Sequence, residues 1–196
     1  MISLFCGIAG FFLYFLYDIN SFTVQSRLLH TTFGIGTAMI AAAAGMDIYT
    51  AWKMTAFSGL LDFLMFLLSA VCFAALIYCL FFALPFHETY SKQAVDRPVY
   101  NKGVYAFCRH PGILCFFGMF LFLGIAALPS DTLMHGMVFS LLNLAYALFQ
   151  DRITFPKTFC DYHIYREQIP FLIPTKESVR LARETWPRKD SKEDQS

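Results

Sequence analysis

The sequence predicts an all-α, polytopic membrane protein: about five transmembrane helices, then a C-terminal amphipathic helix on the cytoplasmic surface. Of its 196 residues 57% are hydrophobic and only 15% are charged, a balance more apolar than that of a soluble domain. The apolar residues fall in five runs, 2–17, 28–46, 59–84, 112–128 and 133–149, near the ~17–20 residues that a spanning helix needs. Basic residues collect before the fourth run and after the fifth, as cytoplasmic segments do. The net charge of +1 supplies no global field for nucleic acid.

The first run lacks a basic leader and ends in Tyr-Asp-Ile-Asn rather than a small-residue cleavage site, so it reads as a retained span. The third is the longest. The fourth and fifth are joined by Pro129-Ser-Asp-Thr132, a tight turn that makes them a helical hairpin. Lys92, Arg97, Lys102 and Arg109 precede the hairpin, and Arg152, Lys157, Arg166 and a cluster from Lys176 to Lys192 follow it, whereas its tip carries only Asp131. The loop and the C-terminus therefore face the cytoplasm and the tip faces out. Counting back puts the N-terminus outside, Arg27 inside and Lys53 outside, balanced by Asp47. Residues 150–175 alternate charged and aromatic side chains, which predicts an amphipathic surface helix with Pro156 near its first turn. Residues 1–175 form one membrane domain, and 176–196 read as a polar, flexible tail in which Trp186 can sit at the headgroups. Six cysteines occur without a Cys-x-x-Cys pair, so neither a metal site nor a disulfide framework is expected. His30 and His135 carry no pattern.

Two polar clusters share the cytoplasmic face. One is 97–111 and the other Gln150-Asp151-Arg152, with Tyr162 and Tyr165 beyond. The hairpin makes its two runs antiparallel, so Arg109 and His110 lie near Gln150 and Asp151. Pro111 suits the first turn of a helix, where free amide donors favour an anion. By pattern alone an Arg-His pair at a span edge reads first as a snorkelling interfacial anchor.

A resemblance changes that weighting. Gly103-Val-Tyr-Ala-Phe-Cys-Arg-His-Pro111 resembles the Gly-x-Tyr-x-x-x-Arg-His-Pro motif of the isoprenylcysteine carboxyl methyltransferase family, integral-membrane methyltransferases that include phospholipid methyltransferase relatives. Gln150-Asp-Arg152, then Tyr162-x-x-Tyr165-x-x-x-Ile169-Pro170, resembles its second motif: Glu-Glu-Arg, an aromatic-glycine turn, Tyr-x-x-Tyr and an apolar-Pro ending. The resemblance covers residues 86–174. It implies S-adenosylmethionine bound on the cytoplasmic side, with Tyr105, His110, Pro111, Gly112, Ile113, Gln150 and Asp151 lining the pocket and Arg97, Pro98, Val99 and Tyr100 closing it. It implies a lipophilic acceptor, an isoprenylcysteine-like carboxylate or another lipid, entering from the bilayer. Tyr146 stands where the carboxyl methyltransferases have a basic residue for the acceptor carboxylate, and Arg152 is the available substitute. Ile113, Cys115 and the Gln-Asp pair also depart from the pattern and leave the acceptor open.

Methyl transfer from a sulfonium is mainly a positioning problem and needs no protein nucleophile. An amine or hydroxyl acceptor needs a base, for which His110 and Asp151 are candidates, with Arg109 beside them. Two other readings stay open. Membrane sterol reductases share Arg-His-Pro but continue Asn-Tyr, where this chain has Gly112-Ile113. A degenerate relative serving as a membrane assembly or regulatory protein is the other.

Overall fold

The computed structural model describes residues 1–55, 59–83 and 97–186. Every regular element among them is helical: α1 (Ile2–Phe22), α2 (Arg27–Thr55), α3 (Leu60–Ile77) running into a π turn (Tyr78–Phe82), α4 (Val104–Phe107), α5 (Pro111–Ala126), α6 (Thr132–Phe149) running through a second π turn (Gln150–Thr154) into α7 (Phe155–Thr158), α8 (Tyr162–Gln168) and α9 (Lys176–Glu184). The end of the third apolar run, Lys92 and residues 187–196 lie outside the described residues.

Among the described residues four helices are long and apolar enough to cross a membrane: Ile2–Phe22, Arg27–Met54, Leu60–Phe82 and Thr132–Thr158. Of the five expected spans, the fourth run is the short one. It forms α5, of 16 residues, which at ~1.5 Å per residue is shorter than a ~30 Å hydrocarbon core. The first two runs are longer than their apolar stretches predict, because their polar ends stay helical and find partners. Asn20 holds the turn into α2, donating to Ser26 O at 3.0 Å and accepting from Ser26 N at 2.9 Å. Asp47, buried in α2, meets His135 of α6 at 2.9 Å. His135, patternless in sequence, is thus an interhelical contact.

α1 packs on α2, α3 on α5, and α5 on α6. Phe11, Phe116, Met119, Phe120 and Phe139 form the core of the bundle. Small residues permit the closest approaches. The Phe139 ring occupies the space where a Cβ on Gly7 would stand, and the backbone of Leu133 does so at Gly124, close to the hairpin turn. Large apolar side chains such as Phe12, Phe33, Leu64 and Phe73 remain exposed along the helices, as expected where the solvent is lipid.

The C-terminal third differs from the single amphipathic helix expected over 150–175. The chain turns extended at Phe159, because Cys160 and Asp161 pair with the segment 97–99: Cys160 N donates to Arg97 O at 3.1 Å and Val99 N donates to Asp161 Oδ1 at 2.7 Å. The expectation of a flexible tail from Lys176 is also corrected over 176–184. There Thr175 and Ser178 form a reciprocal capping box that starts α9, and Ser178 and Ala182 are buried as α9 packs on α4.

Candidate functional site

Local sequence brings Arg109 and His110 to their places. Gly103 adopts φ 59°, a conformation that glycine takes without steric cost, and it turns the chain into α4. Pro111 then occupies the first turn of α5 with His110 as its N-cap residue. Two backbone bonds join this corner to the Ile-Pro ending of the second motif: Arg109 N donates to Pro170 O at 2.9 Å and His110 N to Phe171 O at 3.3 Å.

Asp151 arrives by a different device. Tyr146, Gln150 and Thr154 repeat every four residues along α6 and its extension, and all three meet Asp18 of α1. Thr154 Oγ1 donates to Asp18 Oδ2 at 3.2 Å, and Tyr146 and Gln150 lie within hydrogen-bonding reach of the same carboxylate. The π turn, with its i→i+5 bonding, accommodates Asp151 on the other side. There Arg109 grips it as a fork, Nε donating to Oδ1 at 2.7 Å and Nη2 to Oδ2 at 3.1 Å. Arg109 Nη1 donates to Arg166 O at 2.9 Å and Ile169 O at 2.5 Å. Tyr162 donates its hydroxyl to Asp151 Oδ1 at 2.6 Å, and Arg166 Nε stands 3.8 Å from Oδ2. The Arg109 and Asp151 side chains are 8% and 4% exposed. A bidentate pair with extra hydrogen bonds is the form in which buried charge is tolerated.

His110 is held differently. Its ring lies parallel to Phe155, centroids 5.8 Å apart, and tilted on Phe171 at 4.9 Å. Nε2 is buried 3.5 Å from Asp151 Oδ1, without a formed hydrogen bond among the described residues. Tyr105 connects the first motif to the first π turn, donating to Cys79 O at 2.9 Å, while its own carbonyl accepts from Tyr165 at 2.7 Å. Burial raises the Tyr162 phenol, which must also keep its proton to donate to Asp151, and burial raises Tyr165 as well. Burial pushes the Cys108 thiol up to about 11, which removes it as a nucleophile.

The expected site residues do not all fall in one place. Arg109, His110 and Asp151 come together. Of Arg97, Pro98, Val99 and Tyr100, Val99 packs on the Tyr162–Tyr165–Ile169 cluster and Tyr100 stands edge-on to Tyr105. Gly112 and Ile113 form the first turn of α5 beside Pro111. At Gly112 a Cβ would meet Leu76 at an ordinary 3.6 Å. Gln150 and Tyr146 belong to the Asp18 side: Gln150 Nε2 donates to Tyr146 Oη at 2.9 Å, and Tyr146 packs on Tyr14 and Phe15. Arg152 is exposed and stands outside the cluster. Gln150 and Asp151, adjacent in sequence, thus turn to different partners, Tyr146 and Arg109. Sequence reasoning missed Arg166, the flanking rings Phe155 and Phe171, and Asp18. The last was signalled by a lone acid in an apolar helix and by the four-residue spacing of its partners.

A groove of about 420 Å³ opens at this place, lined by Pro156, Tyr162, His163, Arg166 and Glu167. Tyr162 and Arg166 connect its wall to Asp151. Fold and site together define an all-helical protein of membrane type, with a buried Arg–Asp–Tyr cluster at one end of a helical hairpin. No family model, curated protein or solved structure matches the chain.

Proposed function

We propose that the protein is an S-adenosylmethionine-dependent, integral-membrane methyltransferase acting on a lipophilic acceptor. The observation that carries the reading is the union of the two motif-bearing segments. Arg109 and Asp151, 42 positions apart, form a bidentate pair, and the backbone of Arg109 and His110 bonds the Pro170–Phe171 ending. In this reading α5 is a fifth, short membrane helix, and the cluster and C-terminus face the cytoplasm, where the basic residues collect.

The residues at the groove fit a zwitterionic cofactor. Arg166 and Glu167 offer opposite charges on one wall; His110, which does not line the groove, keeps a buried Nε2 3.5 Å from Asp151 without a formed hydrogen bond. Bound there, S-adenosylmethionine would supply an electrophilic sulfonium methyl. Phe155 and Phe171 exclude water around His110, which strengthens polar contacts inside. Asp151 already accepts from Arg109 and Tyr162, so it anchors the site rather than removing a proton. His110 is the candidate base for an amine or hydroxyl acceptor, while a carboxylate or thiolate needs none.

One observation favours a second reading. The carboxylate is already satisfied: Asp151 accepts from Arg109 and Tyr162 of its own chain, and Gln150 bonds Tyr146 instead. A degenerate relative kept as a membrane assembly or regulatory protein would retain such a cluster for stability alone. Equilibrium binding of methyl-labelled S-adenosylmethionine to the purified chain in lipid nanodiscs separates the readings. The methyltransferase requires saturable binding that His110→Ala abolishes while helical content stays unchanged. NADPH binding instead would point to a reductase, and binding of neither would favour the assembly role. Mass spectrometry of lipid extracts after incubation with the labelled cofactor then identifies the acceptor.

A further inference from the structure

Helix α9 is amphipathic in an unusual sense: its buried face is small and its opposite face is cationic. Ser178 and Ala182 are buried with Leu181 beside them, turned toward α4 and the Tyr162–Tyr165–Ile169 cluster. Lys176, Arg180 and Arg183 follow at i, i+4 and i+7, one face of a helix, and all three are exposed. They line an open groove of about 380 Å³ together with Pro174, Thr175 and Val179. Among the described residues no carboxylate lines it. The nearby acids are Glu177 and Glu184, of which Glu184 lies 3.6 Å from Arg180 Nε.

The level of this groove is set by two tethers. α9 packs on α4, and Thr185 Oγ1 just past its end accepts from Gly103 N at 3.2 Å. α4 ends four residues before Pro111, where the apolar helix α5 begins. α9 therefore sits where the chain passes from polar to apolar surroundings. Exposed apolar side chains stand at both of its ends, Ile173 at 81% and Trp186 at 48%. A basic face flanked by an aliphatic and an indole is the make-up of a helix that lies on a bilayer and pairs with anionic headgroups.

We propose that the Lys176–Arg180–Arg183 groove binds the phosphate of an anionic phospholipid in the bilayer that holds the chain, with Ile173 and Trp186 entering the headgroup layer. The inference needs only membrane insertion and is independent of the methyl-transfer reading. Its consequence is that α9 is a surface clamp: lipid charge holds it against α4, and through Gly103 against the corner that carries Arg109 and His110.

The test uses the full chain with Trp52→Phe, so that Trp186 is the sole indole, reconstituted into vesicles of mixed phosphatidylcholine and phosphatidylglycerol. Bromine is carried on the acyl chains of one lipid or the other. Brominated phosphatidylglycerol is expected to quench Trp186 at least about two-fold more strongly than brominated phosphatidylcholine, since each cation near an anionic surface adds to the preference. The K176Q/R180Q/R183Q variant is expected to bring the two to parity with an unchanged circular dichroism spectrum. Raising the salt is expected to do the same in the unsubstituted groove, which covers the case of a variant that does not fold. Equal quenching by both lipids at low salt would overturn the proposal. So would loss of the preference on adding inorganic phosphate at constant ionic strength, which would assign the groove to a free anion instead.

Discussion

Two buried carboxylates on either side of one π turn are treated in opposite ways. Asp151 is met by a forked arginine, a phenol and a second arginine at 3.8 Å. Asp18, equally buried at 3% exposure, is met by a threonine, a tyrosine and an amide, none of them charged. The first arrangement neutralises charge with charge and joins segments distant in sequence. The second spreads hydrogen bonds from a single stripe of α6 and its extension onto a single residue of α1. Only the first leaves a polar atom over, at His110 Nε2, and only the first opens on a groove. Polar burial by itself is therefore poor evidence for a site, and unspent bonding capacity beside it is better.

Substitutions can break this contrast, beginning with the ion pair. Asp151→Ala leaves a buried guanidinium uncompensated and is expected to cost about 3–5 kcal/mol, read as a lowered thermal midpoint in detergent. The Arg109→Ala/Asp151→Ala double variant is expected to cost much less than the sum of the two single variants, since their interaction is lost only once. Additive losses would show that the pair does not couple. Tyr162→Phe removes one neutral donor to a carboxylate, and about 1.5–3 kcal/mol is expected. The same variant sharpens the contrast by absorbance titration. Because the Tyr162 phenol is raised, its contribution to stability is present below the usual phenol range near pH ~10 and lost only as pH rises through the higher folded value. Subtracting the variant's curve should therefore show no ionisation step near pH ~10 while the protein stays folded. The smallest effect is expected at Asp18→Asn, about 1 kcal/mol, because uncharged donors lose only one acceptor strength. A loss as large as that of Asp151→Ala would erase the distinction between the two carboxylates.

The helices were legible because apolar runs of this length admit little else, and the hairpin was legible from its short turn. The ends were less so, since Asp18, Asn20 and Asp47 stop a hydropathy pattern but not a helix once a neighbouring segment satisfies them. The Arg109–Asp151 meeting followed from hairpin antiparallelism. The separation of Gln150 from Asp151 did not, because adjacent residues in a sequence carry no mark of an i→i+5 turn. The folding of 176–184 was hidden for a related reason: its composition is that of a solvated tail, and only the Thr175–Ser178 box and the contact with α4 make it a helix.

The long reach of Arg109 has a consequence for biosynthesis. Its guanidinium waits 42 residues for Asp151 and 60 for the carbonyl of Ile169. At a translation rate of about 5–20 residues per second the wait for Ile169 lasts roughly 3–12 seconds. For the part of that interval before Asp151 is made, a cation sits unmatched at the start of an apolar helix. A chain interrupted before Asp151 keeps that defect permanently, which gives cellular quality control a simple criterion for an unfinished copy.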